Sequence, residues 1–152
     1  MEKSRQQYIE EKGACARACF LKGYNCAQAV AGAYAEELKL APQQIAGFVS
    51  AFGGGMGRMR EVCGTVSGLL FVIGALKGYT DPDDRQGKKD LYTLVQTVAA
   101  EFRRDNGSII CRELLSGKIE NISDTPEPTE RTPEFYHERP CADLAAYAAK
   151  LA

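Results

Sequence analysis

The chain contains one histidine, His137, among 152 residues, and this scarcity limits its chemistry. A metal site with several histidine ligands is excluded, because the chain supplies only one imidazole. A triad of serine, histidine and acid would have to use this single residue. We therefore do not expect histidine-based chemistry.

Long hydrophobic runs are also missing. The longest apolar stretch, GLLFVIGAL at residues 68–76, is far short of the roughly 20 residues that a membrane-spanning helix needs. The first residues, MEKSRQQYIEEKGA, are charged and lack the apolar run of a signal peptide. We expect a cytoplasmic protein that has no membrane partner.

Neither sign of charge is in excess. The chain has 19 Lys and Arg against 20 Asp and Glu, which gives a formal net charge of −1. Proteins that bind nucleic acids normally carry a basic surplus, so we do not expect a nucleic-acid partner. The length is that of one domain, residues 1–152, with a single core.

Apolar residues recur at helical spacing, and no stretch alternates as a strand does. Ser4 is placed to cap a first helix that Gly23 ends, and Asn25 to cap a second helix that continues to Leu38. Pro42 is expected to open a third, short helix. These signals predict an all-α protein.

The rest of the chain continues this pattern. Residues 64–76 are apolar nearly all round, which predicts the central, most buried helix. Asp81 is expected to cap the helix that extends to Arg104, and a last amphipathic helix starts at Cys141. Residues 116–139 are rich in Pro, Glu and Thr and predict an extended surface loop. We predict a compact bundle of about five to six helices with a glycine-rich loop before the buried central helix.

Six cysteines stand out in this composition, and no two of them form a C-x-x-C motif. This absence argues against a thioredoxin-type pair and against a zinc knuckle. Because nothing directs export, we interpret the thiols as reactive, metal-binding or buried rather than cross-linked.

Four of the cysteines are expected in or near the first turn of a helix. Backbone N–H groups without partners and the positive end of the helix dipole favour a thiolate there. The alternative for each is a small buried hydrophobe. We favour that alternative for Cys15 and Cys19, which are expected on the inner face of the first helix. The four helix-start cysteines are Cys26, Cys63, Cys111 and Cys141.

The stretch FGGGMGRMREVCGTVSG, residues 52–68, contains six glycines. It fits neither a P-loop, since no lysine follows the glycines, nor the dinucleotide fingerprint, whose last glycine is an arginine here. We expect instead that its backbone comes close to a cysteine-based centre. Arg58 and Arg60 would stabilise a thiolate there, or else pair with Glu61 in a solvated loop. The residues assigned to cofactor binding are Gly53, Gly54, Gly55, Gly57, Arg58 and Gly64.

Four segments resemble a known family in order and spacing. They are GYNCAQAV (23–30), the glycine stretch (52–68), GSIICRELL (107–115) and RPCADLAAYAA (139–149). The chain is similar to the bacterial and archaeal family of redox-active proteins named for the cysteine pattern C_GCAxxG_C_C. Thr65 stands where the family has alanine. The resemblance implies a small, mostly helical redox protein whose four characteristic cysteines are Cys26, Cys63, Cys111 and Cys141.

The family is also similar to part of the split-Soret cytochromes, where an iron–sulfur cluster is associated with such cysteines. The haem-attachment motif C-x-x-C-H is absent from this chain, so no haem is implied. Four cysteines match the ligand count of an iron–sulfur cluster, which we favour slightly over redox-cycling thiols. In the thiol alternative, Cys63 and Cys26 are catalytic and Cys63 attacks. A four-cysteine zinc site is the third alternative.

The expected partner is an electron donor or acceptor protein, and the apolar central helix makes a homodimer an open alternative. The competing interpretation is a non-enzymatic helical interaction module with buried structural cysteines. In that case, residues 116–139 would form the contact segment.

Overall fold

The computed structural model describes residues 3–151, and nearly all of its regular structure is helical. None of the helices in this part of the chain is both long and apolar enough to cross a membrane. Nine α-helices and one 3₁₀ turn, Ser50–Phe52, are assigned within residues 3–151. The α-helices are α1 Arg5–Leu21, α2 Cys26–Gly32, α3 Ala35–Leu38, α4 Pro42–Val49, α5 Gly64–Lys77, α6 Arg85–Asn106, α7 Cys111–Leu115, α8 Pro133–Glu138 and α9 Cys141–Leu151.

The all-α prediction is confirmed, and so are the starts of the first helices. The Ser4 side chain accepts a hydrogen bond from the backbone N–H of Gln7, and Asn25 does the same for Gln28. Each glutamine side chain accepts in return from the N–H of the capping residue, which completes a capping box at both helices. Pro42 is the first residue of α4.

More helices are present than the five to six expected, partly because the second one is broken. The backbone N–H groups of Ala33 and Tyr34 bond to the carbonyls three residues before them, a tight turn that ends α2. This turn lets the buried Tyr34 hydroxyl donate to the Ala149 carbonyl of α9, at 2.6 Å. The helix then resumes as the short α3.

Two further boundaries differ from the prediction. Asp84, not Asp81, caps α6 by accepting a hydrogen bond from the N–H of Gly87. Asp81 instead closes a local turn by accepting from the N–H of Asp83. The segment 116–139 is not extended throughout, because Thr132 caps the short helix α8.

Helix α5 is the centre of the bundle, as its composition predicts. Most of its residues from Gly64 to Ile73 are buried, whereas Gly74–Lys77 are exposed. It packs against α2, α6 and α9, and α1 packs against α9 and α2. The first turns of α2, α5, α7 and α9 carry the four helix-start cysteines.

Candidate functional site

A short backbone pairing holds the starts of α5 and α7 side by side. Val62 and Ile110 form an isolated antiparallel β-bridge. The Cys63 N–H donates to the Ile109 carbonyl at 2.7 Å, and the Cys111 N–H donates to the Glu61 carbonyl at 2.6 Å. Two cysteines that are distant in the sequence are therefore anchored by the same pairing.

All four predicted cysteines lie at helix starts. Cys26, Cys111 and Cys141 are the first residues of α2, α7 and α9, and Cys63 is the N-cap residue of α5. All six cysteines of the chain are free thiols. Cys15 is exposed, so its expected place on the inner face of α1 is wrong, whereas Cys19 packs against the core.

The glycine stretch brings the backbone close to two of these cysteines. A Cβ atom added at Gly55 would lie 2.7 Å from the Cβ of Cys111, and Gly55 has a φ of +76°. A Cβ at Gly64 would lie 3.0 Å from the Cβ of Cys26. Only glycine fits such an approach. Of the other assigned glycines, Gly53 lies against Asn25 and Gly54 against Arg58.

Residues 54–58 form an unusual left-handed turn. Their φ angles are all positive, from +55° to +76°, and Arg60 follows with +61°. Two residues of the turn, Met56 and Arg58, are not glycine, and this conformation costs an L-residue roughly 1 kcal/mol or more. Backbone hydrogen bonds stabilise the turn, including that from the Gly57 N–H to the Ala51 carbonyl at 2.7 Å. Such local strain is typical of functional sites.

The glycine stretch forms one wall of a cavity of about 360 Å³. Three of the four cysteines line it, namely Cys26, Cys111 and Cys141. Cys63 does not line the cavity. Its side chain is 4% exposed, and its Sγ lies 3.0 Å from the Thr65 hydroxyl. We call this cavity the cysteine pocket.

Cys26 and Cys141 both line the pocket. Hydrogen bonding to the Cys141 side chain, together with burial, raises the pKa of Cys26 well above its ordinary value. The charge of Arg131 and the backbone N–H of Gly54 act in the opposite direction but are weaker. Cys26 is therefore held as a neutral thiol beside Cys141.

The pKa is raised at three of the four helix-start cysteines. Burial raises the pKa of Cys63 to about 12 and also raises that of Cys111, while hydrogen bonding to Cys141 and then burial raise that of Cys26. The expectation of helix-start thiolates is therefore wrong for these three positions, because their surroundings favour the neutral thiol. Arg60 partly offsets the effect at Cys111, since its Nη1 lies 3.8 Å from the Cys111 Sγ.

Arg58 and Arg60 tie the pocket to the loop that covers it. Arg60 is only 3% exposed, and its Nε donates to the Ser123 carbonyl at 2.9 Å. Arg58 donates to the Thr125 carbonyl and to the Thr129 hydroxyl, at 3.1 and 3.0 Å. The alternative of a solvated pair with Glu61 is therefore not what the structure shows. Instead, both arginines hold part of the segment 116–139 over the pocket.

Two further arginines of the pocket were not predicted from the sequence. The Arg131 guanidinium stacks on the rings of Phe20 and Phe135, with centroid distances of 4.5 and 4.7 Å. Arg139 stacks on Phe135 at 4.4 Å. The sequence could have indicated Arg139, because it lies two residues before Cys141. It held no comparable indication for Arg131.

The four helix-start cysteines are the predicted ligands of an iron–sulfur cluster or a zinc ion. Among residues 3–151, no three His, Cys, Asp or Glu side chains are grouped so that they could hold a metal ion. The three cysteines of the pocket share a wall, but Cys63 lies outside it. The side chains as placed do not fit a four-cysteine centre, and both the cluster and the zinc ion stay predictions.

Comparison with known proteins identifies one family. Residues 24–152 match the family model described as "Putative redox-active protein (C_GCAxxG_C_C)". No curated protein and no solved structure matches the chain. The matched residues include all four helix-start cysteines, the left-handed turn and the four pocket arginines. The chain therefore belongs to the C_GCAxxG_C_C family.

Proposed function

We propose that the protein is a thiol redox protein in which Cys26 and Cys141 interconvert between a dithiol and a disulfide. The observation that carries this proposal is that Cys26 and Cys141 both line the cysteine pocket, where the Cys141 side chain raises the pKa of Cys26. The two residues begin α2 and α9, which pack against each other. A reducing compartment such as the cytoplasm would regenerate the dithiol.

The reaction is a thiol–disulfide exchange with a small disulfide, RSSR. The Cys141 sulfur attacks one sulfur of RSSR, which forms a mixed disulfide and releases the first RSH. The Cys26 sulfur then attacks the Cys141 sulfur, which forms the Cys26–Cys141 disulfide and releases the second RSH. Two electrons pass from the protein thiols to RSSR, and their two protons end on the two RSH molecules.

The roles follow from the surroundings of the two sulfurs. Cys26 is held as a neutral thiol by its raised pKa, so we assign the first attack to Cys141, whose neighbour is Arg139. The sequence assigns the attack to Cys63. We transfer it because Cys63 is buried outside the lining of the pocket.

Disulfide mapping tests this proposal directly. The reduced protein is treated with hydroxyethyl disulfide, blocked with N-ethylmaleimide and digested for mass spectrometry. We expect one intramolecular Cys26–Cys141 disulfide and the loss of two free thiols. Cys141→Ser should abolish it, while Cys15→Ser, at an exposed cysteine of α1, should leave it unchanged. A disulfide between other cysteines, or none, would overturn the proposal.

Anaerobic purification separates this chemistry from a metal centre. Visible absorbance with bound iron, or stoichiometric zinc, that depends on Cys26, Cys63, Cys111 and Cys141 would replace the dithiol proposal by the metal alternative. The interaction-module interpretation is less well supported, because Arg58 and Arg60 tie the segment 116–139 to the pocket. An electron donor or acceptor protein stays a prediction.

A further inference from the structure

The cysteine pocket carries an unbalanced positive charge. Four arginines line it, and no Asp or Glu of residues 3–151 is among its lining residues. None of the four forms a salt bridge with another residue of the described chain, although other cations of the protein do. The charge of exposed Glu127 acts on Arg58 from outside the lining. The four arginines are Arg58, Arg60, Arg131 and Arg139.

The charges of these arginines act on a common space. Burial lowers the pKa of Arg139; the charge of Cys141 acts in the opposite direction, and repulsion by Arg60 and Arg58 adds to the lowering. Burial and repulsion by Arg60 likewise lower the pKa of Arg58. Positive groups that repel one another around a cavity favour the binding of an anion between them.

The four arginines differ in how many N–H groups they have left for a ligand. Arg131 donates to the carbonyls of Phe20 and Tyr24 and is fixed by ring stacking. Arg139 donates no side-chain hydrogen bond to another residue within residues 3–151. Only the flat face of its guanidinium is engaged, on the ring of Phe135. Arg58, Arg60 and Arg131 each use two of their five N–H groups, but Arg60 is buried and Arg131 is stacked on rings. Arg58 is neither, so we take Arg58 and Arg139 as the arginines with donors available in the pocket.

Besides Asn25, Ser50 and Thr129, the remaining lining is largely apolar and matches an organic ligand. Phe20, Phe135, Pro126 and Pro128 line the pocket together with the three cysteines. A volume of about 360 Å³ is within the range of sites for small organic molecules. A bare inorganic oxoanion would leave these apolar walls without contacts.

We infer that the substrate disulfide carries carboxylate groups, which Arg58 and Arg139 bind while the sulfur–sulfur bond lies against Cys141. Guanidinium groups suit this role because their paired N–H groups match the two oxygens of a carboxylate. The disulfide part of this inference rests on the proposed function. The binding of a carboxylate-bearing ligand does not.

Calorimetry with a probe that cannot react tests the binding. S-methylglutathione carries two carboxylates and a thioether, and we expect it to bind the reduced full-length protein. Arg139→Gln and Arg58→Gln should each weaken binding about 10- to 100-fold, the loss of one charge-assisted interaction. Arg139→Lys should be intermediate. Arg85→Gln, at an exposed arginine that starts α6, is the matched control and should not change binding.

The outcomes distinguish the alternatives. No binding of S-methylglutathione, or binding unchanged in both glutamine variants that retain the wild-type circular dichroism, would overturn the inference. Equal affinity for inorganic phosphate would also overturn it, in favour of an oxoanion site. If Arg139→Gln alone fails to fold, Arg139→Lys still tests the inference, because it keeps the charge and is expected to bind S-methylglutathione with intermediate affinity.

Turnover separates this inference from the proposed function. We expect a higher kcat/KM for glutathione disulfide than for uncharged hydroxyethyl disulfide, and the preference should be lost in Arg139→Gln. Equal rates for both disulfides, unaffected by Arg139→Gln, would overturn the carboxylate assignment and leave the dithiol intact. Reaction with neither, together with arginine-dependent probe binding, would overturn only the dithiol.

Discussion

Cys63 is the residue where two opposing local effects can be compared. The start of α5 and the Thr65 hydroxyl, 3.0 Å from its sulfur, both favour the thiolate. Burial opposes them and is stronger, as the rise of the pKa to about 12 shows. Cys63 is therefore uncharged at neutral pH and acts as part of the core next to the pocket.

The raised pKa of Cys63 predicts a loss of stability in alkali. An unfolded cysteine ionises near 9.0, whereas the folded one ionises near 12, so the stabilisation is complete below pH 9 and is lost as the pH rises towards 12. Between pH 8 and pH 10 the free energy of unfolding should fall by about 1 kcal/mol more in the wild type than in Cys63→Ala. Urea unfolding under reducing conditions measures both. Equal losses would contradict the assignment.

Gly55 and Gly57 form a matched pair for the close approach of the backbone. Both have a positive φ, but an added Cβ would meet Cys111 at 2.7 Å from Gly55 and nothing nearer than 3.8 Å from Gly57. Gly57→Ala should therefore cost about 1 kcal/mol of stability, and Gly55→Ala about 1 to 3 kcal/mol more. Urea unfolding of the two variants compares them. Similar losses would show that Cys111 can move aside easily.

At the level of elements, local signals in the sequence were sufficient where no distant residue takes part. Ser4 and Asn25 mark helix starts because their hydrogen-bond partners lie three residues further on, and Pro42 does so because its fixed φ suits the first helical position. The break after Gly32 could not be predicted, because it places the Tyr34 hydroxyl on a carbonyl of α9. The start of α6 was ambiguous, since Asp81 and Asp84 both suit a cap.

Two helix caps offer a comparison between stability and redox chemistry. Asn25 caps α2 directly before Cys26 and also donates to the Ser50 carbonyl at 3.0 Å, whereas Asp84 caps the exposed start of α6. Asn25→Ala and Asp84→Ala should each cost about 1 kcal/mol. Only Asn25→Ala should slow formation of the Cys26–Cys141 disulfide, because it releases the first turn of α2. Thiol trapping over time measures this rate, and an equal effect of both variants would contradict it.

For the whole molecule, the sequence indicated the four cysteines and the glycine stretch but only part of the pocket. Cysteines at helix starts can be recognised from nearby glycine, asparagine and proline. The protonation of the thiols depends on burial, which arises only when α2, α5 and α9 pack together. Arg131 likewise reaches the pocket only because its segment folds back over Phe20.

A Cys26–Cys141 disulfide would connect α2 near the start of the chain with α9 at its end. Closing a loop on the order of 100 residues restricts the unfolded chain and stabilises the fold by up to about 4 kcal/mol. We therefore expect the oxidised protein to unfold at a higher guanidinium concentration than the reduced protein. Cys141→Ser should show no such difference. An oxidised wild type that is no more stable than the reduced form would contradict this prediction.

The left-handed turn at residues 54–58 has φ angles that suit a D-amino acid better than an L-amino acid. A φ near +60° is strained for an L-residue, whereas a D-residue prefers it, because the two residues are mirror images. D-alanine, introduced at Gly57 by chemical synthesis, would adopt its preferred backbone conformation there, while L-alanine would be strained. This segment of the pocket wall therefore has the backbone geometry of a mirror-image peptide within an otherwise ordinary helical protein.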